Sequence, residues 1–267
     1  MSIDIHLKPD YLRQPVAPLV SMVLRSCAKA APVNLMHPES ATGEYEKREI
    51  VSLEKISVLA SGGLDSSVLI AKLATAAEVY PIYVRCGFGW EEMELAGLHS
   101  FLDALHNPNV MPITVLSAPS DVLYGDHWSV SGASVPGADE PDENTYLPGR
   151  NIILIALAAV WGSTHGVSRI AIGSLGGNPF SDATPEFFES FARALSMGLG
   201  RNVIVEAPMR GLHKDDLIRT FKDLPLELTL TCMAPKGAQH CGQCNKCRER
   251  QLAFRNAGVV DRTVYAG

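Results

Sequence analysis

The chain has 267 residues, 46% of them hydrophobic, and a formal net charge of −6. That length accommodates one large α/β domain with a small appendage, and the apolar content supplies a core, so disorder is not the expectation. The acidic balance argues against a general grip on nucleic-acid phosphates or anionic membranes.

The first 54 residues are an extension of unreadable role, with an amphipathic helix expected over 16–31. A strand is predicted at 56–60, then a glycine loop, a helix over 66–76, a strand at 79–84, a helix over 91–105 and a strand at 110–116. Residues 117–146, rich in Gly, Pro, Ser and acidic residues, break this rhythm and read as a functional loop, a lid over a site. Within it, His127 and Trp128 are candidates to cover a bound base. A helix over 151–161, a strand at 169–173, a helix over 185–199, a strand at 203–207 and a short helix over 213–221 resume the alternation. Such repetition implies a Rossmann-like, doubly wound α/β domain around a parallel sheet, with ligand at the carboxyl ends of the strands.

The longest apolar run, over 152–162, is too short to cross a bilayer, and the N-terminus lacks the apolar stretch of a secretory signal. Six cysteines fall as Cys27, Cys86 and a tight group of four, which suggests a metal site in a reducing, cytoplasmic setting.

The first strand runs into Ser61-Gly62-Gly63-Leu64-Asp65-Ser66-Ser67. Paired glycines let the backbone turn tightly and approach a ligand, and successive amides followed by a helix N-terminus make an anion cradle. The hydroxyls of Ser61, Ser66 and Ser67 add donors. Asp65 would be repelled by phosphate unless Mg²⁺ lies between them, which makes a metal contact its natural role. No Gly-Lys-Ser/Thr ending follows, so this is not the loop of γ-phosphate hydrolases.

Cys232, Cys241, Cys244 and Cys247 have the spacing C-x8-C-x2-C-x2-C. Four thiolates with no open position describe a structural zinc site, of net charge about −2. Lys236, Lys246, Arg248 and Arg250 lie close in sequence and offset that charge. A nucleic-acid-binding zinc knuckle competes with this reading, although no aromatic platform accompanies it.

The Ser-Gly-Gly-x-Asp-Ser run resembles the signature of the PP-loop ATP pyrophosphatases, which cleave ATP between the α- and β-phosphates. With Leu147-Pro148-Gly149-Arg150-Asn151, Pro185-Glu186-Phe187, Leu212-His213-Lys214-Asp215-Asp216, Glu227-Leu228-Thr229 and the cysteine knuckle, the chain from 56 to 262 is similar to the QueC family of 7-cyano-7-deazaguanine synthases. The resemblance implies a PP-loop domain over 55–230 and a small C-terminal zinc-binding subdomain over 231–267. It further implies ATP-dependent conversion of a carboxylate, 7-carboxy-7-deazaguanine, with ammonia to an amide and then a nitrile. ATP binding would fall to residues 61–67, with Asp65, Lys214 and Arg150 catalytic. Lys214 would neutralise the pyrophosphate and Arg150 would clamp phosphate. Asp182 and Arg85 would lie on the substrate side, Asp182 accepting from a guanine-like edge or else capping a helix.

Two segments depart from the family pattern. Residues 173–182 replace an Asp-Tyr-Ser-Gly run, and Arg85-Cys86-Gly87-Phe88-Gly89-Trp90 replaces Asp-Tyr-Gly-Gln-Arg-His. A paralogue acting on another carboxylate therefore stays open. So does a tRNA-thiolating enzyme with Cys86 as sulfur carrier, and so does a nucleotide-sensing module. No membrane or nucleic-acid partner is expected, and a homodimer is one option for the assembly.

Overall fold

In the computed structural model residues 53–266 are described, so the helix expected over 16–31 lies outside the described residues. The expected rhythm is present: β1 (Glu54–Leu59), α1 (Leu64–Leu73), β2 (Ala77–Arg85), α2 (Glu91–Leu105), β3 (Thr114–Ser117), two single-turn helices α3 (Asp121–Tyr124) and α4 (Trp128–Ser131), α5 (Arg150–His165), β4 (Arg169–Ile172), α6 (Pro185–Leu199), β5 (Ile204–Glu206), α7 (Lys214–Thr220) and α8 (Asn245–Ala257).

The strands form one parallel sheet in the order β3-β2-β1-β4-β5. Along each strand successive side chains point to opposite faces, and here both faces are apolar. Ile56 and Val58 of β1, Val79 and Tyr83 of β2 and Ala171 of β4 pack in one core with α1, α2 and α7. Leu59, Ile82, Val84, Ile170 and Ile172 face the other core, with Ile155 of α5 and Phe188 of α6. The fold is therefore the doubly wound α/β arrangement expected. Its strand order reverses between β1 and β4, and the crevice at that reversal is where such sheets take ligands.

Two elements differ from expectation for local reasons. The strand predicted from residue 110 starts at Thr114, with only Val110 bridging Val79 before it. Pro112 has no N–H to donate and interrupts the ladder between those points. The helix α8 was not anticipated, because most of its residues are polar and its buried set mixes Asn245, Cys247 and Arg250 with Ala253 and Phe254. Arg250 is 1% exposed, and its guanidinium donates to Thr263 Oγ1, Thr229 Oγ1 and the carbonyl of Leu226 at 2.7–2.9 Å. It braces α8 on the loops that precede and follow it, and its charge also acts on Cys247, in line with the expected offset.

The segment expected to be a lid is tied down at several points. Tyr124 Oη donates to the carbonyl of Pro148 at 3.0 Å, Asn245 Nδ2 to that of Glu140 at 2.8 Å, and Gly137 bridges Cys244. No helix among the described residues is long and apolar enough to cross a membrane.

Candidate active site

The turn after β1 carries the expected cradle. Gly62 has φ +68°, and a Cβ there would sit 2.2 Å from the Glu94 carbonyl oxygen, so only glycine fits on conformational and steric grounds together. Gly173, at the end of β4, approaches the same loop so closely that a Cβ would lie 3.1 Å from the Ser66 amide nitrogen. The two chain crossings that flank the switch point are thus in backbone contact.

Ser66 holds the loop closed: its Oγ accepts from the Ser61 amide at 3.1 Å and donates to the Gly63 carbonyl at 3.2 Å. The Gly62 carbonyl accepts from the Leu230 amide at 2.8 Å, which anchors the loop to the approach of the cysteine segment. Asp65 Oδ1 and Ser67 Oγ are buried without a hydrogen-bond partner. Buried polar atoms in folded proteins normally have a partner, so Asp65, which lines the cavity, marks where a ligand or ion belongs, whereas Ser67 lies off the lining.

The cavity at this turn has a volume of about 450 Å³, within the range of small-molecule sites. Lys214, first residue of α7, reaches into it and lies 3.3 Å from Asp65 Oδ2 and 2.6 Å from Glu249 Oε1. Burial would lower the lysine's pKa, but Asp65 and Glu249 outweigh it and hold the ammonium charged well above its ordinary value. Burial likewise pushes Asp65 up, against the pull of Lys214. Glu249 would also rise through burial, yet Lys214 and Lys246 bring it down to about 2.

Lys246 Nζ completes this chain of charges, 3.0 Å from Glu249 Oε2 and 3.4 Å from Asp142 Oδ1. Lys246 and Glu249 line the same cavity as Asp65. They are residues that motif reading missed as pocket components. The available signal was their placement either side of Cys247, one helical turn apart.

Arg150 also lines the cavity, brought there by the turn at Pro148–Gly149. Its guanidinium stands 5.2 Å over the Phe88 ring, makes no ion pair among the described residues, and leaves Nε buried without a partner. Asp182 also lines the cavity. Its Oδ2 accepts from the Asn151 amide at 3.1 Å, so it caps α5 across space, while Thr184 caps α6. Tyr146 and Phe180, stacked at 5.0 Å, and Trp90 on Trp128, at 5.6 Å, supply flat apolar walls.

Arg85 is not among the lining residues; it pairs with Glu92 at the outer end of β2. His127 also lies off the lining and instead accepts from the Ser129 amide at the start of α4. Cys86 is buried, its thiol donating to the Val84 carbonyl at 3.7 Å, and burial pushes its pKa up. That is the reverse of what an attacking thiolate needs.

The four clustered cysteines converge. Their sulfurs lie within 4.8 Å of one another and all four residues are buried. Cys232 Sγ accepts from the amides of Ala234 and Cys241 at 3.3 and 3.2 Å, and Cys241 Sγ from those of Gln243 and Cys244 at 3.4 and 3.3 Å. Amides aimed at sulfur stabilise thiolates, so the set fits a single metal ion that takes four sulfur ligands.

A family model described as "Queuosine biosynthesis protein QueC" matches residues 55–258. The 7-cyano-7-deazaguanine synthase of Pseudomonas savastanoi pv. phaseolicola is 30% identical over 231 residues, which cover 81% of this chain and 99% of that protein. The synthase of Acidobacterium capsulatum is 31% identical over 226 residues, 80% of this chain and 97% of the relative. Among solved structures, a tRNA thiolase from Methanococcus maripaludis, with its [4Fe-4S] cluster, overlaps 77% of this chain and 68% of its own, at 13% identity and a TM-score of 0.43.

Proposed function

The chain belongs to the QueC family, and on that premise we propose that it converts 7-carboxy-7-deazaguanine and ammonia to 7-cyano-7-deazaguanine at the expense of ATP. The observation that carries this reading is the cradle at the β1–β4 switch point, with the unpartnered Asp65 Oδ1 and Lys214 in the same cavity.

A carboxylate resists nitrogen nucleophiles until one oxygen becomes part of a leaving group. The substrate carboxylate attacks the α-phosphorus of ATP, the α–β bridge breaks, and pyrophosphate departs from the acyl adenylate. The amides of residues 61–67 hold the departing diphosphate, Lys214 neutralises its growing charge, and Arg150 grips phosphate. Asp65, through its free Oδ1, would hold the Mg²⁺ that accompanies ATP, an ion that supplies charge neutralisation at the phosphates. Positioning and electrostatics suffice for phosphorus chemistry of this kind.

Ammonia then displaces AMP to give the amide, and a second activation of the amide oxygen leads to the nitrile. Asp182 Oδ1, which makes no hydrogen bond among the described residues, is placed to accept from the guanine-like edge between the aromatic walls. Arg85, tied to Glu92, has no part in this reading. Zinc, held by Cys232, Cys241, Cys244 and Cys247, would fix the start of α8 and with it Lys246 and Glu249, so that the part at 231–267 completes the cavity of the part at 55–230. A thiolate site of this kind suits the cytoplasm.

The test is direct. Purified protein incubated with Mg²⁺, ATP, ammonium and 7-carboxy-7-deazaguanine should yield the nitrile by mass spectrometry. Unchanged acid, with every component present, would refute the proposal.

A further inference from the structure

The nitrogen donor poses a separate problem. At neutral pH ammonia is mostly ammonium, which has no lone pair, so a site that uses it must bind the cation and remove a proton beside the acyl adenylate. Five carboxylates line the cavity: Asp65, Glu94, Asp142, Asp182 and Glu249. Asp65 and Glu249 are tied to Lys214, Asp142 is tied to Lys246, and Asp182 takes an amide of α5. Each of the three lysine-bound groups already has its counter-ion.

Glu94 is different. It is buried in the cavity wall and held by neutral donors, Tyr83 Oη at 2.9 Å and the Trp90 side chain. It makes no ion pair among the described residues, and its carbonyl abuts Gly62 of the cradle. Its Cγ lies 3.3 Å from where a Cβ on Gly62 would stand, which sets the carboxyl directly behind the loop where the adenylate forms.

Resting on the function proposed above, we infer that Glu94 is the ammonium-binding group and the proton acceptor for the nitrogen nucleophile. Glu94 takes one proton from ammonium. The freed lone pair attacks the acyl carbon and forms the C–N bond, and the C–O bond to AMP breaks with its electron pair leaving on AMP. The new amide nitrogen then gives its surplus proton to solvent. The chemistry of the residue suits the task. Burial raises its pKa to about 7, opposed by Arg150 of α5 and the Tyr83 bond from β2 and assisted by Glu91 on its own helix; Cys86 is the other titratable group close by. An acceptor poised near the working pH is the most effective kind.

Glu94→Gln keeps the shape and the acceptor for Tyr83 but not the basicity, and hydroxylamine tests the difference because it is mostly unprotonated at neutral pH. The experiment measures three rates with wild type and variant: acid-dependent ATP–pyrophosphate exchange, amide formation from ammonium, and hydroxamate formation from hydroxylamine. The variant should lose about 100-fold in ammonium use, keep hydroxylamine use within about threefold, and so change the ratio of the two by more than tenfold. Equal losses with both nucleophiles, or loss of exchange as well, would reduce Glu94 to a structural or adenylation role and overturn the inference. Wild-type protein that shows no acid-dependent exchange would instead overturn the parent reading, and this one with it.

Discussion

Two regions of this molecule hold charge by opposite means. At the switch point, the cradle is made of main chain: Gly62 at φ +68°, Gly173 pressed on Ser66, and hydroxyls turned inward to close the loop. Some 170 residues later, the knuckle is made of side chains, four buried sulfurs within 4.8 Å of one another. A backbone site tolerates no added atom, whereas a sulfur site tolerates no missing one. Substitutions should therefore fail differently in the two places, with local catalytic damage at the cradle and loss of folded structure at the knuckle.

The largest effect is expected at the knuckle. Cys247→Ser removes one of four ligands at the start of α8, and the apparent melting temperature should fall by about 10 °C or more. A strong chelator should bring the wild type to the same curve. Unchanged melting with lost turnover would place the knuckle in the chemistry and erase the contrast.

Gly62→Ala should leave the circular dichroism spectrum intact while exchange activity falls at least about 100-fold, since a displaced loop misplaces the diphosphate. Retained activity would mean that the Glu94 carbonyl can move away at little cost. Lys214→Met comes next, with turnover down about 100-fold and a smaller change in ATP affinity, because Lys246 remains in the cavity. Comparable losses in affinity and turnover would make Lys214 a ground-state binder.

The smallest effect is expected at Arg85. Its pair with Glu92 is largely exposed, so Arg85→Ala should leave the melting temperature nearly unchanged and leave the KM for the acid unchanged. A marked rise in that KM would return Arg85 to the substrate side.

The difference between the two regions also explains what was legible. Both motifs could be read because each is contiguous: paired glycines with a following helix, and cysteines at metal spacing. The strand rhythm was equally plain, since short apolar runs such as 56–60 need no partner to be seen. What escaped depends on tertiary proximity. Glu94 reads as one acid among several on α2 until Tyr83 and the cradle close around it. Glu249 reads as one charge in the polar run after the cysteines until Lys214 arrives from α7. Arg250 is the sharpest instance: a basic residue beside a charged metal site that is also buried and bonded to Thr229, Thr263 and Leu226.

Everything in the functional account depends on which bond of ATP breaks. Phosphorus NMR of a reaction containing 7-carboxy-7-deazaguanine and ammonium should show AMP and pyrophosphate accumulating in step with the nitrile, with one AMP for the acid activation and one for the amide. ADP and inorganic phosphate in their place would contradict the account at its root.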